Sequence, residues 1–280
     1  MKKQTKKNAA ADACSKRLPL ALLFFFLILP LKGFTLYNGN PSFPMMPEEG
    51  LFISKEDWFG IKMGYQFDDV YDRRLRMAHR HVEDQRKKVQ KYASISNQGI
   101  LTFNFNDRAE AFGSLGAMSF ELSQRPFEDR KVSYHTQTHF AWGVGGRAIL
   151  AYWGNLQIAV NAAYLQSNLP LSSVKVNAKS FAKRHLKAEF REWQVGAGFS
   201  YRLSWFIPYL GFDYSDFRTK IEHLNSLKVL FHRNHIIFKE IYPMGIFLGF
   251  GLSPDRGFNV NFEGRFINEN AVSVSADFKF

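Results

Sequence analysis

Cysteine is almost absent from this chain: one residue in 280, Cys14. It stands ahead of the longest apolar run and not behind it, so it makes no lipoprotein site. From residue 36 onward there is no cysteine, which excludes disulfides, cysteine-ligated metal and a cysteine nucleophile from that part. A second long apolar run is missing too. After Leu31 no apolar stretch reaches the roughly 18 residues that a membrane-spanning helix needs. Catalytic signatures are equally sparse. No GxSxG frames a serine, and the GVGG at 143–146 falls inside a strand pattern and not ahead of a helix, which argues against a phosphate loop. His79 and His81 stand near Glu83 and Asp84 in a strongly basic stretch, with no second histidine pair at zinc spacing, so a solvated loop is the reading. Asp68, Asp69 and Asp72 gather near a strand end, where carboxylates facing water or loop arginines are commoner than catalytic ones. The expectation is therefore no enzyme, no cofactor and no metal.

What the chain does hold begins with a leader. Lys2, Lys3, Lys6, Lys7, Lys16 and Arg17 precede LPLALLFFFLILPL at 18–31, a basic region followed by an apolar core too short to span comfortably, which predicts a signal peptide over 1–35. An uncleaved anchor is the competing reading. The formal charge of +12 falls to +6 without that leader, because seven basic residues and one acid lie within it. That weakens any nucleic-acid reading, and none is expected. A surface facing anionic lipid or lipopolysaccharide accounts for a modest positive excess. Aromatic residues make up 16% of a chain whose mean hydropathy is −0.25. Such a balance suits a barrel that is apolar outside and polar inside.

The segment 36–56, with Pro41, Pro44, Pro47 and an Asn-Gly step, predicts an extended periplasmic lead-in. Strands fill 57–280. At the end Val272, Val274, Ala276, Phe278 and Phe280 alternate with Ser273, Ser275, Asp277 and Lys279, and the run from Phe258 to Phe266 alternates likewise. The clearest case is Trp193, Val195, Ala197, Phe199, Tyr201 and Leu203 against Glu192, Gln194, Gly196, Gly198, Ser200 and Arg202. Short turns at Asn106–Arg108, Gly154–Asn155, 204–208 and 254–257 alternate with long connections at 72–91, 123–134, 166–186 and 220–240. The prediction is an all-β fold, an antiparallel transmembrane β-barrel of about 10 strands (range 8–16), with both ends on the periplasmic side of a bacterial outer membrane. A further hairpin hidden in 220–240 would make twelve. Inward parity predicts a pore lining of Lys62, Gln66, Arg147, Glu192, Arg202, Glu263 and Arg265, joined by Asp277 and Lys279. Ten strands about 4.8 Å apart and tilted roughly 40° enclose a backbone diameter of about 20 Å, which inward side chains largely fill. Two functions follow: a channel for small hydrophilic solutes or ions, with a slight lean to anions, or a non-conducting barrel with a structural, adhesive or lipid-contacting surface.

Several segments resemble, in order, the chlamydial major outer membrane protein, the chlamydial porin family: LYNGNPSFP, WFGIKMGYQFDDVYDR, NFNDRAEAFGSLGA, FAWGVGGRA, REWQVGAGFSYRLSWFIPYLG and EGRFINENAVSVSADFKF. The resemblance implies an outer-membrane porin, a homotrimer, that admits small solutes and contributes to envelope rigidity. This chain departs from it in being shorter and in lacking cysteine after residue 35, so the family's disulfide cross-linking does not carry over. A last strand that alternates and stops on Phe278 and Phe280 also resembles the signal read by the barrel-assembly machinery, which implies that machinery as a partner.

Overall fold

The structure is a computed structural model that describes residues 36–47, 58–78, 89–127, 130–177, 179–181, 186–224, 235–254 and 257–280. The leader, residues 48–56 of the lead-in, and His79 and His81 lie outside the described residues. A single turn of 3₁₀-helix, Phe43–Met45, precedes the strands. These are β1 (Phe59–Arg73), β2 (Leu75–Met77), β3 (Val89–Phe105), β4 (Ala109–Phe127), β5 (Arg130–Thr136), β6 (His139–Trp153), β7 (Leu156–Val176), β8 (Lys179–Phe181), β9 (Lys187–Tyr201), β10 (Phe206–Glu222), β11 (Ile236–Glu240), β12 (Met244–Leu252), β13 (Phe258–Phe266) and β14 (Glu269–Lys279).

Ten of them close a ring of antiparallel neighbours. β1 pairs with β3, then β4, β6, β7, β9, β10, β12, β13 and β14 follow in turn, and β14 returns to β1. Closure leaves no unpaired edge, the condition a sheet must meet in hydrocarbon. Its seam is long: Lys62 opposes Lys279 and Arg73 opposes Glu269, with one bulge between Val70 and Asp72. The C-terminal Phe280 is tied into the same seam by its N–H, which donates to the Ile61 carbonyl at 2.9 Å. The short strands extend the wall away from the termini. β5 bridges β4 and β7, β11 bridges β10 and β2, and β8 continues along β7. The segment 220–240 thus holds the end of β10 and all of β11, which adds no hairpin to the ring among the described residues.

Outward residues of the ring are apolar. Met63, Leu101, Leu115, Val144, Val195, Leu210 and Leu248 are all exposed. Aromatic rings bound this band on both sides: Trp58, Trp153, Tyr201 and Trp205 toward the termini, and Tyr71, Trp142, Trp193, Tyr214 and Tyr242 toward the far end. An apolar belt between aromatic girdles is the surface that a transmembrane barrel shows to lipid. Val195 is exposed while its neighbour Gln194 is buried. A charge on the lipid face near mid-bilayer costs about 2–4 kcal/mol. Val195→Arg is therefore expected to depress refolding into bilayers strongly and Gln194→Arg far less, with equal yields overturning the assignment of faces.

Beyond the far girdle the pattern inverts. Leu165, Leu169 and Val174 of β7, Ala188 and Phe190 of β9, Phe217 and Ile221 of β10, Val132 and Tyr134 of β5 and Phe238 of β11 point inward and form one buried apolar cluster. Met118, Phe120 and Leu122 of β4 join it, on the same face as Phe112. Strands consequently run well into stretches that the sequence assigns to connections, 123–134 and 166–186 above all. An apolar-out template finds polar residues outside there and reads loop, although the alternation itself continues with its sides exchanged.

Candidate functional site

The interior of the ring carries three layers. Nearest the termini lies the chain's own N-terminal segment, Leu36–Pro47. It is buried almost throughout, within the stretch that the sequence reads as an extended lead-in. Proline keeps the segment out of any sheet, yet its backbone polar groups need partners once they leave water, and the barrel wall supplies them. Glu263 accepts the N–H groups of Asn38 at 3.1 Å and Gly39 at 3.0 Å. Asn104 donates to the Pro44 carbonyl at 2.6 Å, and the Lys62 ammonium donates to that of Phe43 at 2.6 Å. Asn40 donates to Asn261 at 3.1 Å, and the Ser42 and Ser200 hydroxyls meet at 2.6 Å. Arg147 lies 4.4 Å over the Phe43 ring and 4.5 Å over Phe112. Burial, with the Glu263 charge second, pushes the Tyr37 phenol well above its ordinary value, so it stays neutral. Inward glycines make the room. A Cβ at Gly198 would stand 2.8 Å from Pro41, and one at Gly251 2.6 Å from Asn40.

The second layer is ionic. Arg73 reaches Glu192, Glu240 at 3.2 Å and Glu269 at 3.4 Å, and lies 4.6 Å over the Phe217 ring. Arg265 holds Glu269 at 2.7 Å, Glu263 at 3.1 Å and Asp68 at 3.2 Å, and donates to the Ser273 hydroxyl at 2.6 Å. Both guanidiniums are buried among more carboxylates than they can match singly, so the fork shape that lets one arginine serve several acceptors matters here. Toward the termini a smaller cluster joins Lys62 and Arg147 to Glu110, Arg147 at 3.5 Å, and Lys279 to Asp107 at 3.0 Å. The third layer is the apolar cluster at the far end. A small cavity lined by Asn38, Pro41, Arg147, Asn161 and Phe247 has room for roughly one water molecule.

Of the residues expected to line a pore, Lys62, Gln66, Arg147, Glu192, Glu263 and Arg265 lie on the inner face, as do Asp277 and Lys279, and all are buried. Arg202 does not join them. It follows the end of β9 in the tight turn, half-buried, with its N–H donating to the Asn155 carbonyl at 2.9 Å. Phe278 is on the outer face with its ring 6.2 Å from that of Phe258. Asp68, weighed as one of three acids near a strand end, is an interior partner of Arg265 and Gln66. Arg73, Glu110, Glu240 and Glu269 were not singled out from the sequence. Glu110 shares its face with apolar Phe112 and Met118, which hides its direction, and Arg73 sits in a stretch dense with charges that reads as loop.

No family model matches the chain. Among curated proteins it is similar to the major outer membrane porin, serovar F, of Chlamydia trachomatis, 25% identical over 269 residues that cover 63% of this chain and 68% of that protein. A major outer membrane porin of Chlamydia pneumoniae is 23% identical over 271 residues, 66% of this chain and 70% of the other. Among solved structures, the translocator domain of the autotransporter NalP from Neisseria meningitidis aligns over 99% of this chain and 97% of its own with a TM-score of 0.43 and 12% identity. The outer membrane protease OmpT from Escherichia coli covers 79% and 96% at a TM-score of 0.40, also with 12% identity. A ring of ten antiparallel strands, an apolar belt between aromatic girdles and the two porins similar in sequence converge: the chain is a bacterial outer-membrane β-barrel distantly related to the chlamydial major outer membrane porins.

Proposed function

We propose that this barrel is non-conducting in its folded state and acts as a structural, lipid-contacting protein through its outer and loop-end surfaces. One observation supports the reading above others. The inner face is buried at successive levels, from Lys62 and Lys279 near the termini through Arg265 to Phe190 and Phe217 near the loops. Side chains that line a wetted pore stay accessible to water, and these do not. The reading assigns no reaction to the chain. A second reading, a trimeric porin-like channel for small hydrophilic solutes or ions, is favoured by the names of the relatives and requires the segment 36–47 to leave the lumen. Planar-bilayer recordings of the refolded protein separate the two: no steady unit conductance is expected, and reproducible channel steps would overturn the non-conducting reading. Assembly is proposed to depend on the final strand, which ends on Phe278 and Phe280 and closes the seam against Ile61. Deleting Phe280, or Phe280→Asp, is expected to leave unfolded chain in the periplasm, detected by loss of the heat-modifiable band from outer membranes; normal insertion would refute the dependence.

A further inference from the structure

On the outer wall above the far girdle, four cations stand side by side on four adjacent strands. Arg76 of β2 opposes Lys239 of β11, Lys239 opposes Arg218 of β10, and Arg218 opposes Arg191 of β9. Directly opposed residues have Cβ atoms about 4.5–5.5 Å apart, and like charges so placed destabilise a sheet. Elsewhere on the same strands the ordinary rule holds. Lys220 opposes Glu189, and Glu222 opposes Lys187. The row is thus a local exception with a cost to the isolated fold, and such a cost points to an anion that offsets it.

Among the described residues, carboxylates near the row are few. Glu189 pairs with Arg191, and Asp216 lies 3.9 Å from Arg218. No ion pair joins Arg76 or Lys239 to an acid among the described residues. Height matters as much as charge. Arg191 is two residues beyond the girdle ring of Trp193 and Arg218 four beyond that of Tyr214, with the Trp193 and Tyr214 rings 5.5 Å apart. Arg74, exposed, lies over the girdle ring of Tyr242 at 5.6 Å. Aromatic girdles sit at the boundary between acyl chains and headgroups, so a row one side-chain step beyond them is at headgroup height. At about 4.8 Å per strand, four strands present the cations along roughly 14 Å, the scale of a phosphorylated sugar headgroup. The row lies at the end opposite Phe280 and the short turns, the outer-leaflet side of such a barrel.

We infer that Arg76, Lys239, Arg218 and Arg191 form a binding site for the phosphates of an outer-leaflet glycolipid, the lipid A part of lipopolysaccharide. Arginine suits the role because its planar fork meets two phosphate oxygens at once. This deepens the lipid-contacting reading but does not depend on whether the lumen conducts.

The test uses the refolded full-length barrel and bisphosphorylated lipid A in mixed micelles, with enzymatically dephosphorylated lipid A as the comparison. Wild type is expected to retain the bisphosphorylated form at least tenfold better than the dephosphorylated one. The quadruple variant Arg76→Gln, Lys239→Gln, Arg218→Gln, Arg191→Gln is expected to lose that difference while its urea midpoint in lipid-free detergent is unchanged or higher, since a repulsive row has been removed. A control with Lys131, Lys175, Lys179 and Lys187 changed to Gln, four other basic residues outside the row, is expected to keep at least half of the binding. Undiminished binding by the row variant, equal retention of the dephosphorylated lipid, or an equal loss in the control would each overturn the site. A row variant that is less stable in lipid-free detergent would overturn the premise that the four charges repel one another.

Discussion

Arg265→Met is expected to lower the stability of the refolded barrel by about 3–5 kcal/mol, the range for removing one partner of a buried ionic cluster. The size follows from what is left behind. Arg265 is fully buried and is shared by Asp68, Glu263 and Glu269; without it three carboxylates face one another in a space that water does not reach. Arg73 also holds Glu269, at 3.4 Å, but already serves Glu192 and Glu240, so it cannot take over. Methionine keeps the volume and removes the charge, which separates electrostatics from packing. Two companions sharpen the test. Arg265→Lys offers an ammonium that cannot fork to the same acceptors and should fall between wild type and methionine. Adding Asp68→Asn to Arg265→Met should recover part of the loss, because one uncompensated charge disappears. Urea titrations followed by heat-modifiable gel mobility read all three. A loss of about 1 kcal/mol or less, the worth of a solvent-exposed pair, would mean that Arg265 stands in a wet lumen and would remove the support for a closed barrel.

How far the sequence alone leads depends on which half of the barrel is asked about. In the half near the termini, Trp193 to Tyr201 and Val272 to Phe280 carry apolar residues outward and polar residues inward, and parity is enough to place Lys62, Gln66, Glu192 and Glu263 on the inner face. In the far half Phe190, Phe217, Phe120 and Leu169 carry their apolar groups inward. Parity there is regular in β9 and β10 but shifts in β7 between Leu171 and Val174, and its sense is reversed, which only the strand pairing reveals. The N-terminal segment is harder still. Its prolines say what it cannot be and not where it goes, although the inward Gly196, Gly198 and Gly251 on two strands are a legible sign that something other than side chains fills the space. A row such as Arg76, Lys239, Arg218 and Arg191 cannot be read at all without register, since its members come from four separate strands and lie as many as 163 positions apart in the sequence. Arg202 shows the opposite error: the alternation of β9 runs one residue past the strand, into a turn.

Gly198→Leu is expected to drive the segment 36–47 out of the lumen. Even a Cβ at this position would stand 2.8 Å from Pro41 and 3.1 Å from Phe247, closer than packed atoms tolerate, and the remaining side-chain atoms have nowhere to go. Either the strand ladder deforms or the segment yields. The ladder is held by paired backbone on both sides, Gly198 opposing Gly211 and Ala159, whereas the segment is held by scattered polar contacts, so the segment is the part that yields. A thiol reports the outcome. Cys14→Ser with Ser42→Cys places one cysteine at a position that is 1% exposed. In the otherwise unaltered barrel it should resist a bulky maleimide under conditions that label the urea-unfolded chain fully. Overpacking of about 1–3 kcal/mol, at 1.4 kcal/mol per tenfold, should raise the labelling rate by about 5- to 150-fold in Gly198→Leu. Gly113→Leu is the control, because a Cβ there meets nothing within 4 Å. A thiol that is already reactive in the unaltered barrel would mean the segment is not docked, and an unchanged rate in Gly198→Leu would mean that the wall, not the segment, gives way. Conductance of the same variant then bears on function. The ionic layer and the apolar cluster of Phe190, Phe217 and Phe238 stay in place when the segment leaves, so an undocked yet silent barrel is the expected result, and channel steps appearing only in Gly198→Leu would instead make the segment the gate of a porin-like channel.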